Sequence, residues 1–283
     1  MGDLLSAMLD YWVPRRRIAE IRRPLSILRE VLRKKIWNLL LESGETDPPI
    51  EPLRITRVDT LKIFYRVDNS IRSEAFIRAN YDNFEIVYRT RNKEGRLIPL
   101  VRVRFTLAHE LSHLFAFSLR ERPPRPLGIS TGWETEGFFN ELAREFLIPS
   151  YFLLKEDSPV QEYIRKPLLD NFLILMKTFQ VSSDVLAIRL IKDLSLWDAL
   201  FVKGTLVKGS ELRPHLLLKG PSFRNFKVRP ALESVNKKIN LGEDLSQPQR
   251  GLIRIRRKKY PFELLFYKNS ADDREKRFIL LIR

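Results

Sequence analysis

The chain has 283 residues, with 51 Lys and Arg against 35 Asp and Glu, a net charge of +16, and no cysteine. Disulfides and thiolate metal sites are therefore excluded. At 44% hydrophobic residues it can bury a sizeable core, and its length suits two domains, or one domain with a smaller module.

The N-terminus, "MGDLLSAMLDYWVPRRR", places its charge after the apolar part, the reverse of a signal peptide. No apolar run reaches the roughly 18 residues of a spanning helix, so a soluble, cytoplasmic protein with no membrane partner is expected. Residues 15–41 read as an amphipathic helix. Leu25, Leu28, Leu32, Ile36 and Leu39 recur every three or four positions, with Arg and Lys opposite and Pro24 in the first turn. The polar "SGETDPPIEP" is a connector. Residues 53–104 predict short strands, "LKIFYRV" and "FEIVYRT", with "NKEGR" as a hairpin turn.

The pattern then changes to helix. Thr106 is a candidate N-cap for a helix over 107–119, which the prolines of "RERPPRP" end. A second helix spans about 135–147 and stops near Pro149, and residues 163–195 hold one or two more. From about 200, "LIRIRRKKY", "FELLFYK" and "RFILLIR" alternate as strands. These elements divide the chain into an N-terminal amphipathic helical region (1–48), a core (49–150), a helical, helix-turn-helix-like segment (151–198) and a basic β-rich C-terminal domain (199–283). Within residues 179–196, Leu186, Leu190 and Leu194 make a stripe that favours packing over DNA contact.

Charge is unevenly spread. Residues 201–283 hold 20 Lys and Arg against 8 Asp and Glu, whereas residues 1–200 hold 31 against 27. The C-terminal third is suited to a polyanion such as DNA or to an acidic partner, or else is a solubilising surface.

Two of the three histidines fall in "RFTLAHELSHLFAF". On a helix, His109 and His113 share one face one turn apart and can both point ring nitrogens at one ion. Glu110 is turned about 100° away, placed for a water molecule and not for the ion. This is the H-E-x-x-H pattern of zinc peptidases, in which the ion acidifies water and the glutamate accepts its proton. A third protein ligand is needed. His215 lies in the basic C-terminal region, so a carboxylate of the next helix is the natural candidate, and Glu134, Glu136, Glu141 and Glu145 all fall there. Periodicity does not choose Glu136 over Glu134 or Glu141. Arg104 and Asn140 are read as structural, orienting the two helices. No oxyanion-stabilising residue can be named, Tyr151 being near only along the chain.

"RFTLAHELSH" together with "ETEGFFNELAREFLIP" resembles the ImmA/IrrE family of bacterial metallopeptidases over about residues 50–195. The family's first block, R-F-T-x-A-H-E-x-x-H, is matched from Arg104 to His113. Its second, E-x-x-A-N-x-F-A-x-x-L-L-M-P, places its glutamate on Glu136, its asparagine on Asn140 and its proline on Pro149. Phe139, Leu142 and Ile148 depart from the usual alanine, phenylalanine and methionine but stay apolar, and Ser112 replaces a common glycine. The resemblance implies an α+β fold whose zincin-like metallopeptidase core is a small sheet with an HExxH helix and a glutamate helix. It implies Zn²⁺ held by His109, His113 and Glu136, a set that also accepts Mn²⁺, with Glu110 catalytic. It further implies endopeptidase cleavage of a helix-turn-helix repressor, which derepresses a stress response or a mobile element. A reading of another class makes the chain a non-proteolytic regulator, binding nucleic acid or protein, with a structural metal site. Intact Glu110 argues against that, since a structural site has no use for a general base.

Overall fold

The computed structural model describes residues 3–14, 24–128, 133–207, 211–236, 248–255, 258–269 and 272–283. The fold is mixed α+β and divides into two compact units. One comprises residues 1–155 with 178–182, the other residues 156–177 with 183–283. No helix among the described residues is long and apolar enough to cross a membrane.

The first unit opens with α1 (Asp3–Trp12) and α2 (Pro24–Glu42). Of the helix expected over 15–41, residues 15–23 lie outside the described residues. From Pro24, at the first position, the stripe behaves as its spacing requires: Leu28, Leu32, Ile36 and Leu39 are buried and Leu25 is partly buried. The short helix α1 was not anticipated; it contributes Leu4, Leu5, Met8 and Leu9 to the core.

Four strands follow: β1 (Arg57–Val58), β2 (Leu61–Val67), β3 (Ala75–Ala79) and β4 (Asn83–Tyr88). They form a sheet in the order β1-β2-β4-β3, in which β2 and β4 run parallel and the other neighbours antiparallel. Strand β3 is thus an edge. After a turn carrying the Arg91–Leu97 bridge, helix α3 runs from Leu100 to His113 and tightens into a 3-10 turn over Leu114–Ala116. The expected span of 107–119 is corrected at both ends. Pro99, in extended conformation, sets the start, its carbonyl accepting from the N–H groups of Arg102 and Val103. Thr106 is interior, its hydroxyl donating to Glu74 at 3.2 Å. Past His113 the chain enters a small ribbon of β5 (Phe117–Ser118) and β6 (Arg125–Pro126) before the prolines can act.

Helix α4 (Trp133–Leu147) packs against α3, and the short α5 (Ser150–Leu154) follows. The interface is apolar and closely filled: Leu107, Ala108 and Leu111 of α3 and Phe139, Leu142, Ala143 and Phe146 of α4 are all 1% exposed or less. Burying side chains of this size contributes about 1.5–3 kcal/mol each.

The second unit contains α6 (Gln161–Ile164), α7 (Leu169–Phe179) up to Lys177, and α8 (Ser183–Ala187), the last continuing as a π turn over Ile188–Asp193. Leu186 and Leu190 of the expected stripe are fully buried, whereas Leu194, beyond the π turn, is half-buried. Five antiparallel strands form the sheet, ordered β8-β7-β11-β10-β9: β7 (Leu200–Val207), β8 (Glu211–Lys219), β9 (Gln249–Ile255), β10 (Lys258–Asn269) and β11 (Asp272–Ile282). Helix α9 (Val228–Asn236), absent from the sequence reading, sets Ala231, Leu232 and Val235 into the same core as Leu200, Val202, Phe262, Leu264, Phe278 and Leu280. Phe201, of opposite strand parity, packs instead on Phe172 of α7, 5.3 Å between rings. Gly204 marks a bulge where a Cβ would lie 1.9 Å from the Arg213 carbonyl oxygen. Buried Glu263 accepts from the Leu169 N–H at 2.6 Å and from Arg283 at 2.9 Å, pinning the start of α7 to β10.

Within the first unit, Arg104 of α3 is 1% exposed. Its guanidinium donates to the carbonyls of Phe179 (3.1 Å), Gln180 (2.6 Å) and Ile50, holding α3 against the segment at Ile50 and the end of α7. The structural role expected of it follows from these contacts. Arg104→Leu strands two buried carbonyls and a partly buried one, each buried one costing about 1–3 kcal/mol. A loss of at least about 3 kcal/mol is expected in the urea-unfolding free energy, and a loss under half of that would show the carbonyls find other partners.

Candidate metal centre

Helix α3 sets His109 and His113 one turn apart, with ring centroids 4.8 Å from each other and their planes at 74°. Their Nε2 atoms converge to 3.1 Å. From α4, Glu136 brings Oε2 to 3.3 Å from His109 Nε2 and 4.0 Å from His113 Nε2. Among the described residues, these three form a group whose ligand atoms lie within 4.8 Å of one another.

The shape of that triangle is informative. Donors bound tetrahedrally at about 2.0–2.1 Å from one ion stand roughly 3.3 Å apart. Two imidazole nitrogens and a carboxylate oxygen at 3.1, 3.3 and 4.0 Å come close to this with little adjustment. The donor set, two neutral nitrogens and one anionic oxygen, suits zinc and manganese alike. Burial, strongest at both rings, lowers the pKa of His109 and carries His113 down to about 4. Both imidazoles are therefore neutral near pH 7, the state in which they donate lone pairs to a metal.

Glu110 belongs to the same site but not to the triangle. Its side chain is buried, and its carboxylate accepts the backbone N–H of Ile77 on the edge strand β3. Burial, with the charge of Glu136 assisting, pushes its pKa up to about 7. Together with His109, Asn140, Phe105, Thr106 and Ala75 it lines a cleft of about 430 Å³. Asn140 stands beside His109 on the α4 side. At the rim, Glu74 accepts from Arg102 and from Thr106.

The four candidate carboxylates of α4 have different fates. Glu141 pairs with Arg29 (2.9 Å) and Arg33 (3.2 Å) of α2. Glu145 is buried, accepting from the Ser150 N–H and hydroxyl, each at 2.7 Å, with Arg33 at 3.3 Å. Glu134 is exposed and outside the histidine group. Only Glu136 faces the imidazoles. His215 is remote in role, its Nε2 lying 3.0 Å from the Thr205 hydroxyl. Tyr151 stacks on Trp37, 4.4 Å between rings, and lines a different cleft.

Two residues that hold the donors in place escaped the sequence reading. Ser112 Oγ lies 2.6 Å from the His109 carbonyl and 3.1 Å from the Phe139 carbonyl, so its single proton is shared between α3 and α4. Phe139 sets its ring 4.0 Å from that of His113, fixing one face of the imidazole. The signal for both was present, since Ser112 and Phe139 are departures inside otherwise matching blocks.

A family model, Peptidase_M78, described as the IrrE N-terminal-like domain, matches residues 98–191. Among solved structures, a Mycobacterium tuberculosis transcriptional regulator aligns with a TM-score of 0.49 and 12% identity, over 100% of this chain and 80% of that one. The comparison with curated proteins finds no match.

Ser112→Ala removes the shared proton and leaves the buried Phe139 carbonyl without it. A stability loss of about 1 kcal/mol in urea unfolding is expected. An unchanged midpoint would mean that the two helices do not depend on this hydroxyl.

Proposed function

From a chain that belongs to the ImmA/IrrE family through its IrrE N-terminal-like domain at residues 98–191, we propose a metal-dependent endopeptidase that cuts a helix-turn-helix transcriptional repressor. The observation that carries the reading is the convergence of His109, His113 and Glu136 donors to 3.1–4.0 Å, with a buried carboxylate, Glu110, beside them and outside the donor set. His109, His113 and Glu136 would hold the ion, Zn²⁺ or Mn²⁺. When bound, such an ion supplies Lewis-acid chemistry, polarising a carbonyl and acidifying water.

The remaining work falls to the protein. Glu110 takes a proton on its carboxylate and returns it to the leaving amine, the two halves of general acid–base catalysis. The Ile77 N–H holds that carboxylate on the cleft wall, and Asn140 steadies the His109 side. Ala75 and Phe105 add apolar surface to the cleft wall. Cleavage of a repressor releases the genes it holds silent, in a stress response or a mobile element. The basic residues of 199–283 support contact with the operator DNA on which a repressor sits. A purely structural metal site accounts for the three donors but leaves a buried, directed Glu110 without a purpose.

Elemental mass spectrometry of the purified chain should find about one equivalent of zinc or manganese. His109→Ala and Glu136→Gln should lose it, and Glu141→Gln should keep it. With the metal retained, Glu110→Gln should slow cleavage of the repressor substrate by at least about 100-fold. A metal-free protein after reconstitution, or full activity in Glu110→Gln, would overturn the proposal.

A further inference from the structure

A second cleft of the first unit lies away from the histidines, between α2 and α5. It measures about 780 Å³, inside the range of roughly 300–1,000 Å³ typical of small-ligand sites. Trp37 and Tyr151 stack there, with ring centroids 4.4 Å apart and planes at 25°. Tyr151 is 55% exposed and the neighbouring Leu154 57%, so an aromatic platform and an aliphatic flank both face solvent. Solvent-facing apolar groups gathered in a concave site mark a place for a ligand. Lys34 and Lys155 stand at the rim, both exposed. Arg33, which also lines the cleft, is paired with Glu141 and Glu145.

We propose that this cleft binds a nucleotide: a flat heteroaromatic ring continuing the Trp37–Tyr151 stack, and a phosphate at Lys34 and Lys155. A base stacks on an aromatic side chain irrespective of its identity, because every base presents a π face. A rim of lysines supplies the point charges that phosphate takes. Asn38, exposed on the cleft wall, offers both an amide donor and an acceptor for the edge of a base. A helical peptide is the less suitable occupant. Helix α5 has five residues, about 7.5 Å at 1.5 Å per residue, too short to seat two turns of an apolar face.

The test is isothermal titration of the full chain with AMP, GMP and adenosine, with circular dichroism and metal content recorded for each variant. AMP and GMP should bind with dissociation constants below about 1 mM. Tyr151→Ala should weaken AMP by about tenfold or more, while Tyr151→Phe, which keeps the ring, should not. Lys34→Glu, at an exposed position, should weaken AMP but leave adenosine unchanged. Absence of nucleotide binding at millimolar concentration, an AMP affinity indifferent to Tyr151→Ala, or adenosine binding as tightly as AMP would each overturn the proposal. So would binding of an acidic peptide such as oligoglutamate with no binding of nucleotide, since the cleft would then serve a protein partner. The readout needs no peptide cleavage, so failure here is distinguishable from failure of the peptidase reading.

Discussion

The candidate centre depends on one constraint: α3 and α4 must stay at fixed rotation and height relative to each other. His109 and His113 come into line by helix geometry alone, whereas Glu136 reaches them only if α4 does not turn. A helix rotation of one residue moves a side chain through about 100° and would carry the carboxylate off the imidazoles. Several features oppose it. Phe139, Leu142, Ala143 and Phe146 fill the interface with almost no exposure. The Ser112 hydroxyl binds both helices. On the far side of α4, Arg29 and Arg33 hold Glu141, and Arg33 reaches Glu145. The same helix is thus tied by its acids on one face and presents Glu136 on another.

That division of labour explains what could be read from the chain before its fold. The H-E-x-x-H spacing needs nothing beyond one helix, so His109, His113 and Glu110 could be singled out as candidates directly. The third donor was not, because four glutamates fall within twelve positions of one helix and periodicity alone does not say which face of α4 meets the histidines. The resemblance pointed to Glu136; an interaction invisible in a linear pattern sets the other acids apart, since the arginines of α2 occupy Glu141 and Glu145. Ser112 and Phe139 have no role in any single-helix pattern, and their function exists only across the interface.

The misplaced start of α3 has a similar origin. Thr106 carries the side chain of a good cap, and nothing local says that its hydroxyl is used by Glu74. Pro99 was the better marker, in extended conformation immediately before Leu100. In the second unit, β9, β10 and β11 were legible as the alternating stretches "LIRIRRKKY", "FELLFYK" and "RFILLIR", but α9 is nine residues long and gains its helicity from packing on the sheet. The π turn after α8 likewise leaves no periodic trace, and it accounts for Leu194 dropping out of a stripe that keeps Leu186 and Leu190 buried.

The central claim is that the three donors converge because they share an ion. X-ray absorption at the zinc edge of the zinc-loaded chain tests this most directly. The account requires a four-coordinate shell at about 2.0–2.1 Å with outer-shell scattering from two imidazoles, one of them lost in His113→Ala. A six-coordinate, all-oxygen shell, or a spectrum unaltered by His113→Ala, would place the ion elsewhere on the protein and contradict it.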